Sequence, residues 1–163
     1  AADALPVLKQ PHIVELFEKM GVLSPVELAS RFETYTEQYI LSIEVEAKLV
    51  ISMAKTIVYP AAVSYLSRLS SAIASLKEIG IDLEKESAEK VAALVKFMID
   101  TASKLSAALS KHDFSTPEEH LQYSAKTICP LMDAVREYAD ALEGEVADDL
   151  WPLPTYQEML FIK

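Results

Sequence analysis

Histidines with neighbouring carboxylates are the residues of this chain whose types could form a metal or catalytic site. His112 and His120 stand near Asp113 and Glu119, and imidazole together with carboxylate can bind zinc. A zinc site needs three or four convergent ligands, and this spacing matches no standard zinc motif. His12 is isolated at a predicted helix start. A surface or structural role is therefore the better interpretation of all three histidines.

Two glutamates could be interpreted as a pair of catalytic carboxylates. Glu44 and Glu46 are two residues apart, which puts them on different sides of a helix and argues against acid–base catalysis. Glu46 falls on the predicted apolar stripe, where a carboxylate needs solvent or a cation. Arg68, Lys104 or Arg136 could supply that cation. We therefore predict that Glu46 is a buried polar residue with a structural role.

The single cysteine has no chemical partner close in sequence. Cys129 precedes Pro130 inside a predicted helix with no histidine nearby, which favours an inert buried thiol over a nucleophile. One cysteine excludes an intrachain disulfide and is typical of a reducing compartment, so we expect a cytoplasmic protein. The sequence has no phosphate-binding glycine loop, dinucleotide fingerprint or Ser-His-Asp pattern. Residue types alone thus predict no catalytic, cofactor or metal site.

The composition favours one acidic helical domain. The chain has 163 residues, 51 % of them hydrophobic and only 3 of them Gly, which is typical of a compact helical protein. Its formal charge is 15 − 25 = −10, which disfavours binding to nucleic acid or anionic lipid. The sequence contains no run of about 18 uninterrupted apolar residues, so no membrane span is expected. We expect neither nucleic acid nor membrane as a partner.

The region from Phe32 to Tyr65 is predicted to be one long helix around which the others pack. Its apolar residues recur at alternating steps of three and four. Thr36 and Glu46 are the polar positions on this stripe. Pro60 removes a backbone donor, so a kink is expected near Tyr59. The stripe consists of Phe32, Tyr39, Ile43, Val50, Met53 and Ile57.

Helix start and stop signals delimit the other elements. Ser24-Pro25 and Thr116-Pro117-Glu118-Glu119 are helix starts, the second with the pattern of a capping box. Gly21 and Gly80 are expected to follow helix ends. A helix over about 83–110 should bury Val91, Leu94, Val95, Met98, Leu105 and Leu109.

These elements predict an all-α fold, an elongated up-and-down bundle of long antiparallel helices with a proline-kinked central helix. We expect a single domain over 1–163. It comprises a lead-in and short helix over 1–24, with residues 1–10 poorly ordered, a helical bundle over 25–143 and a Trp/Pro-rich tail over 144–163.

Ordered motifs near both ends of the chain resemble those of type III glutamine synthetases. The two stretches are LFEKMGVLSPVELASRFETYTEQYILSIEVEAKLVISMAKTIVYPAAVSY and VADDLWPLPTYQEMLFIK. The middle of the chain, 70–127, is generic helix and adds little. The motifs are Gly21-Val22-Leu23, Arg31-Phe32-Glu33-Thr34-Tyr35, Ile43-Glu44-Val45-Glu46-Ala47, Met53-Ala54, Pro60-Ala61-Ala62 and Trp151-Pro152-Leu153-Pro154-Thr155-Tyr156.

The resemblance implies a C-terminal fragment of a larger enzyme. Such enzymes form glutamine from glutamate, ammonia and ATP through a γ-glutamyl phosphate, with Mg or Mn ions, and assemble as large double-ring homo-oligomers. Their metal and nucleotide ligands would precede Ala1, so no catalytic residue, cofactor or metal is expected within these 163 positions. The implied partners are the catalytic region of the same chain and neighbouring subunits.

A domain attached to an oligomeric enzyme should carry an apolar docking surface. The candidate residues are Phe17, Trp151, Leu153, Tyr156, Met159 and Phe161. An equally good interpretation is that these side chains only close the ends of the bundle.

We therefore predict a structural and assembly domain of a glutamine synthetase, without activity of its own. The alternative is a free-standing acidic helical-bundle interaction or adaptor protein. A third interpretation, a four-helix-bundle metalloprotein, needs inward-facing Glu-x-x-His motifs on two helices. That motif does not occur in the sequence.

Overall fold

The structure is a computed structural model of the chain and describes residues 2–82, 85–154 and 156–160. Within these ranges it contains seven α-helices, one 3-10 helix, two π-helical turns and no β-strand, which confirms the all-α prediction. The elements in chain order are the 3-10 helix Leu5–Lys9, α1 Pro11–Lys19, α2 Pro25–Met53, the first π-turn Ala54–Val58, α3 Tyr59–Glu78, α4 Glu86–Leu109, α5 Pro117–Tyr123, the second π-turn Ser124–Ile128, α6 Cys129–Glu143 and α7 Tyr156–Leu160.

Glycines end two of the helices, as the sequence predicts. Gly21 follows α1 with φ of 66° and Gly80 follows α3 with φ of 84°, a left-handed backbone that glycine adopts without strain. After α3, the amide of Ile81 donates to the carbonyl of Leu76 at 3.0 Å. This bond is the outer one of a Schellman motif, which satisfies a carbonyl that the helix leaves free.

A proline inside the long helical path is accommodated by a π-turn. The path runs from α2 through the first π-turn into α3, and Pro60 is the second residue of α3. The backbone of Val58 and Tyr59 on either side of this junction is helical. The helix therefore continues through the proline, and the predicted bend at Tyr59 stays a prediction.

Contacts divide the chain into two compact units, each formed from two stretches of sequence. Unit 1 consists of Ala1–Lys48 and Ala107–Pro130, and unit 2 of Leu49–Ser106 and Leu131–Lys163. In unit 1 the buried residues of α2 recur at steps of four from Leu28 to Ile40, and Ala47 follows seven residues later, which is the spacing of one helix face. The core residues of unit 1 are Ala2, Leu28, Phe32, Thr36, Ile40, Ala47, Leu121, Ser124 and Ile128.

The core of unit 2 is built from large side chains of α4 and α6 and small side chains of α3. The predicted residues Val91, Val95, Met98 and Leu105 of α4 are buried, and Leu94 is half-buried. The other buried residues of the unit are Ala54, Val58, Ala61, Ala62, Thr101, Ala102, Val135, Leu142 and Val146.

The predicted buried position of Glu46 is wrong. Glu46 is exposed, and its neighbour Ala47 is completely buried. The buried series continues through Ala54 and Ala61 at seven-residue intervals. The sequence prediction followed the largest apolar residues and so placed the stripe one residue away from the buried alanines. Alanine has a small side chain, so another helix can approach the backbone most closely at these positions.

Residues 2–10 differ from the poorly ordered lead-in that the sequence suggests. They contain the 3-10 helix Leu5–Lys9. Lys9 forms an ion pair with Glu118 of α5, and its ammonium lies 5.0 Å from the ring centroid of Phe32. Gln122 Nε2 donates to the carbonyl of Ala2 at 3.1 Å. These contacts attach the N-terminal residues to α2 and α5 within unit 1.

The helical path Pro25–Glu78 is long and apolar enough to cross a membrane by length and composition alone. The core helix of a soluble protein has the same properties. Length and composition therefore do not identify a membrane span. The expected absence of a membrane partner stays a prediction.

Candidate functional site

The surface around Phe17 is the part of unit 1 where an apolar docking site was predicted. Phe17 itself is half-buried on α1. Two neighbours are more accessible, since Leu16 of α1 is 48 % exposed and Met20, the C-cap residue of α1, is 68 % exposed. No described residue of α1 is fully buried. The C-terminal end of α1 and its cap therefore present two apolar side chains that unit 1 leaves about half exposed or more.

The corner between α1 and α2 is polar because its groups cap α2. Glu27 Oε2 accepts from the amide of Ser24 at 2.8 Å and from its hydroxyl at 2.7 Å. The amide of Glu27 in turn donates to Ser24 Oγ at 3.3 Å, which completes a capping box. The Ser24 amide, followed by its hydroxyl, lowers the pKa of Glu27. The polar groups of Ser24 and Glu27 at this corner already bind one another. They therefore act as a helix cap.

The start of the C-terminal tail is held to unit 2 by two ion pairs. Arg68 of α3 contacts Asp149 at 2.7 Å, and Lys90 of α4 contacts Glu145 at 2.5 Å. Trp151 follows these anchors and is half-buried. Its indole Nε1 is buried and has no hydrogen-bond partner among the described residues.

The end of the tail is the most accessible apolar part of unit 2 that was predicted as a docking surface. Leu153 is half-buried, whereas Met159 of α7 is 57 % exposed and the adjacent Leu160 is 77 % exposed. Tyr156 begins α7, but its side chain lies outside the described part of the structure, and Phe161 lies outside the described residues altogether. The structure thus leaves the predicted tail surface partly open.

A second exposed apolar surface of unit 1 was missed by the sequence interpretation. Leu41 and Val45 of α2 are 59 % and 64 % exposed. They are four residues apart and therefore lie on one helix face. The spacing was visible in the sequence, but the prediction assigned the core stripe first and did not ask what a second apolar face would contact.

His120 lies in an aromatic cluster of unit 1. Its ring stacks on Phe114 with centroids 4.2 Å apart and an interplanar angle of 10°. Its Nε2 is 3.7 Å from Glu44 Oε1, and Glu44 also contacts Lys48 at 3.8 Å. Burial lowers the pKa of His120, Glu44 raises it and His112 lowers it further. This environment favours a neutral, stacked imidazole.

Cys129 lies beside a tyrosine. Its Sγ is 4.0 Å from Tyr39 Oη, and the thiol is half-buried. Burial, followed by the charge of a Cys129 thiolate, raises the pKa of Tyr39. At this distance the two groups can form a hydrogen bond in which either atom is the donor, and the pair contains no base that would activate the thiol.

In the described ranges, no three or more His, Cys, Asp or Glu side chains converge as metal ligands would. What the residues offer instead is helical surface with exposed apolar side chains. Fold and surface together define the class, an all-α domain suited to contacts with other protein surfaces.

Comparison with known proteins relates the chain to glutamine synthetases. Residues 1–77 match the family described as the glutamine synthetase C-terminal domain. It is 30 % identical over 99 % of its length to a type-3 glutamine synthetase of Dictyostelium discoideum. It is 30 % identical over 87 % of its length to a glutamine synthetase of Bacteroides fragilis, and 31 % identical over 98 % to one of Butyrivibrio fibrisolvens.

The chain corresponds to only a small part of these relatives. It spans 23 %, 21 % and 23 % of their respective lengths. The resemblance to type III glutamine synthetases is confirmed, and the family that residues 1–77 match is the C-terminal domain of glutamine synthetases.

Proposed function

We propose that this domain serves assembly in a glutamine synthetase whose catalytic residues lie in another part of the protein. The parent reaction is the ATP-dependent ligation of ammonia to glutamate, which gives glutamine. The similarity along 99 % of this chain to less than a quarter of a type-3 glutamine synthetase carries this proposal. ATP and Mg or Mn would bind to the parent enzyme outside this domain, and the parent enzyme would be cytoplasmic.

The partners that we propose are the catalytic region of the same protein and neighbouring subunits of a large homo-oligomer. Exposed apolar side chains support this, because contact with another protein surface would remove them from water. At the end of α1 they are Leu16 and the C-cap residue Met20, near the predicted Phe17. On α7 they are the predicted Met159 and its neighbour Leu160. Trp151 and Leu153, half-buried against their own unit, would contribute their remaining surface.

An activity assay tests the enzymatic part of the proposal. Glutamine formation from glutamate, ammonia and ATP is measured with Mg for the full-length protein and for the 163-residue chain. We expect ATP-dependent product from the full-length protein and none from the chain alone. Product from the chain alone, or an inactive full-length protein, would overturn the assignment.

Double substitutions that introduce negative charge test the proposed docking surfaces. In the full-length protein, Leu16→Glu with Met20→Glu changes the α1 surface, and Met159→Glu with Leu160→Glu changes the α7 surface. Ala92→Glu with Ala93→Glu is the control, because both alanines are exposed on α4 and the added charge is the same. We expect each of the first two pairs to raise the subunit concentration at which the oligomer dissociates by at least tenfold. This corresponds to a loss of about 1.4 kcal/mol in the free energy of association. Equal behaviour of all three pairs would exclude docking through these surfaces.

A further inference from the structure

Two of the eight prolines lie inside helical paths, where proline is ordinarily disruptive. Pro60 and Pro130 are each the second residue of a helix that continues directly from a π-turn. The others begin helices, as at Pro25 and Pro117, or lie elsewhere outside helix interiors. In a regular α-helix an interior proline loses one hydrogen bond and its ring clashes with the carbonyl four residues earlier. The structure must therefore accommodate the same problem twice.

Both sites accommodate the proline with the same backbone geometry. Before Pro60, the amide of Tyr59 donates to the carbonyl of Ala54, five residues earlier. Before Pro130, the amide of Cys129 donates to the carbonyl of Ser124, also five residues earlier. The wider turn admits one more residue than an α-turn, so the carbonyl four residues before the proline is no longer held against its ring.

A repeated sequence string makes it possible to ask whether the proline or the local sequence places the turn. Ala-Lys-Thr-Ile occurs at 54–57 and again at 125–128. The string starts together with the first π-turn, but it starts one residue after the beginning of the second. In both cases the turn begins six residues before the proline. The position of the turn follows the proline and does not follow the string.

We propose that Pro60 and Pro130 each fix the position of the π-turn that precedes them, and so set the helical register of α3 and α6. Register matters because the extra residue changes which side of the following helix faces its core. In unit 2 that side of α3 carries Ala61 and Ala62, which are 9 % and 0 % exposed. The prolines are thus positioning residues for the packing of the helices that they begin.

High-resolution structures of full-length variants test this proposal. We expect Pro60→Ala to remove the first π-turn, so that the amide of Tyr59 donates to the carbonyl of Lys55 instead of Ala54. Thr56→Ala is the matched control, because it alters the repeated string and leaves the proline. In that control the bond from Tyr59 to Ala54 should persist.

The second turn supplies an independent test. Pro130→Ala should remove the π-turn at Ser124–Ile128 and leave the one at Ala54–Val58 unchanged. Exchanging Tyr59 and Pro60 moves a proline by one residue and should move the first π-turn one residue toward the N-terminus. Persistence of both π-turns at their present positions in the two alanine variants would overturn the proposal, as would loss of the first turn in Thr56→Ala.

Discussion

Among single residues, Thr36 places a polar group in an apolar environment. It lies on α2 in the core of unit 1 and is 0 % exposed. Its hydroxyl oxygen has no hydrogen-bond partner within the described part of the chain. A buried hydroxyl without a partner loses its hydrogen bonds to water and gains none in return. The residue therefore opposes the burial of the apolar side chains around it.

Replacing Thr36 by valine should stabilise the domain. Thr36→Val keeps the branched shape and removes the unpaired oxygen, and we expect a gain of about 1 kcal/mol in the free energy of unfolding. Urea unfolding of both proteins measures the change. Thr34→Val is the control, because Thr34 is exposed and its hydroxyl donates to the Ser30 carbonyl at 2.9 Å. A loss of stability in Thr36→Val would show that its hydroxyl has a partner.

The environment of His120 makes stability depend on pH. Burial holds the pKa of His120 in the folded domain below 6.5, despite the opposing charge of Glu44. As pH falls below 6.5, the unfolded chain therefore binds this proton more readily than the folded chain does. The free energy of unfolding should fall from that point until pH reaches the folded-state pKa.

A comparison of two histidine variants isolates this effect. The free energy of unfolding is measured at about pH 7.5 and about pH 5.5, above the range in which the lowered pKa values of Glu27 and Glu118 matter. We expect His120→Gln to lose less stability than the parent between the two values. His12→Gln, at an exposed position on α1, is the control. An identical loss in the parent and in His120→Gln would contradict the prediction.

The burial of single side chains could be predicted from the sequence only where those side chains are large. The stripe of α4 was largely correct because Val91, Met98 and Leu105 leave one interpretation of its apolar face, although Leu94 and Leu109 are only half-buried. On α2, Glu46 was wrongly assigned to the core and the buried Ala47 was overlooked, since a small alanine contributes little to an apolar pattern. Where packing depends on close approach of backbones, residue size is a poor guide to burial.

At the scale of elements, the start of α5 shows how a local motif determines a helix boundary. The amide of Glu119 donates to Thr116 Oγ1 at 3.2 Å. The carboxylate of Glu119 accepts in return from the amide of Ser115 at 2.8 Å, one residue before the position that a standard capping box uses. Thr116 thus supplies an acceptor for an amide of the first turn, which has no acceptor within the helix.

Loss of this cap should destabilise the domain measurably. We expect Thr116→Ala to lower the free energy of unfolding by about 1 kcal/mol, because one amide of the first turn loses its acceptor. Differential scanning calorimetry should show a decrease in Tm of roughly 2–4 °C for a chain of this size. Ser115→Ala is the control, since Ser115 contributes its backbone amide and not its side chain to the motif. Equal changes in the two variants would contradict the assignment.

Elements whose boundaries depend on local chemistry were predicted well, and those that depend on tertiary contacts were not. Thr116 and Gly80 marked a helix start and a helix end correctly. The 3-10 helix Leu5–Lys9 was missed because its attachment depends on Glu118, which is distant in sequence. The π-turns were missed because Pro60 suggested an interruption, and the sequence interpretation did not consider a wider turn as the way to avoid one.

At the scale of the whole molecule, an acidic surface coexists with exposed apolar side chains. The formal charge is −10, which opposes nonspecific association between copies. Met20, Val45 and Leu160 nevertheless remain more than half exposed. A specific partner surface would cover such residues, and the rest of a glutamine synthetase is the partner that we propose.

The most direct test of this account is the native mass of the full-length protein, with and without residues 1–163. Analytical ultracentrifugation of both proteins gives the number of subunits. We predict a large homo-oligomer for the full-length protein and a smaller species, or a mixture of species, after removal of the domain. An oligomer with the same number of subunits in both proteins would contradict a role of this domain in assembly.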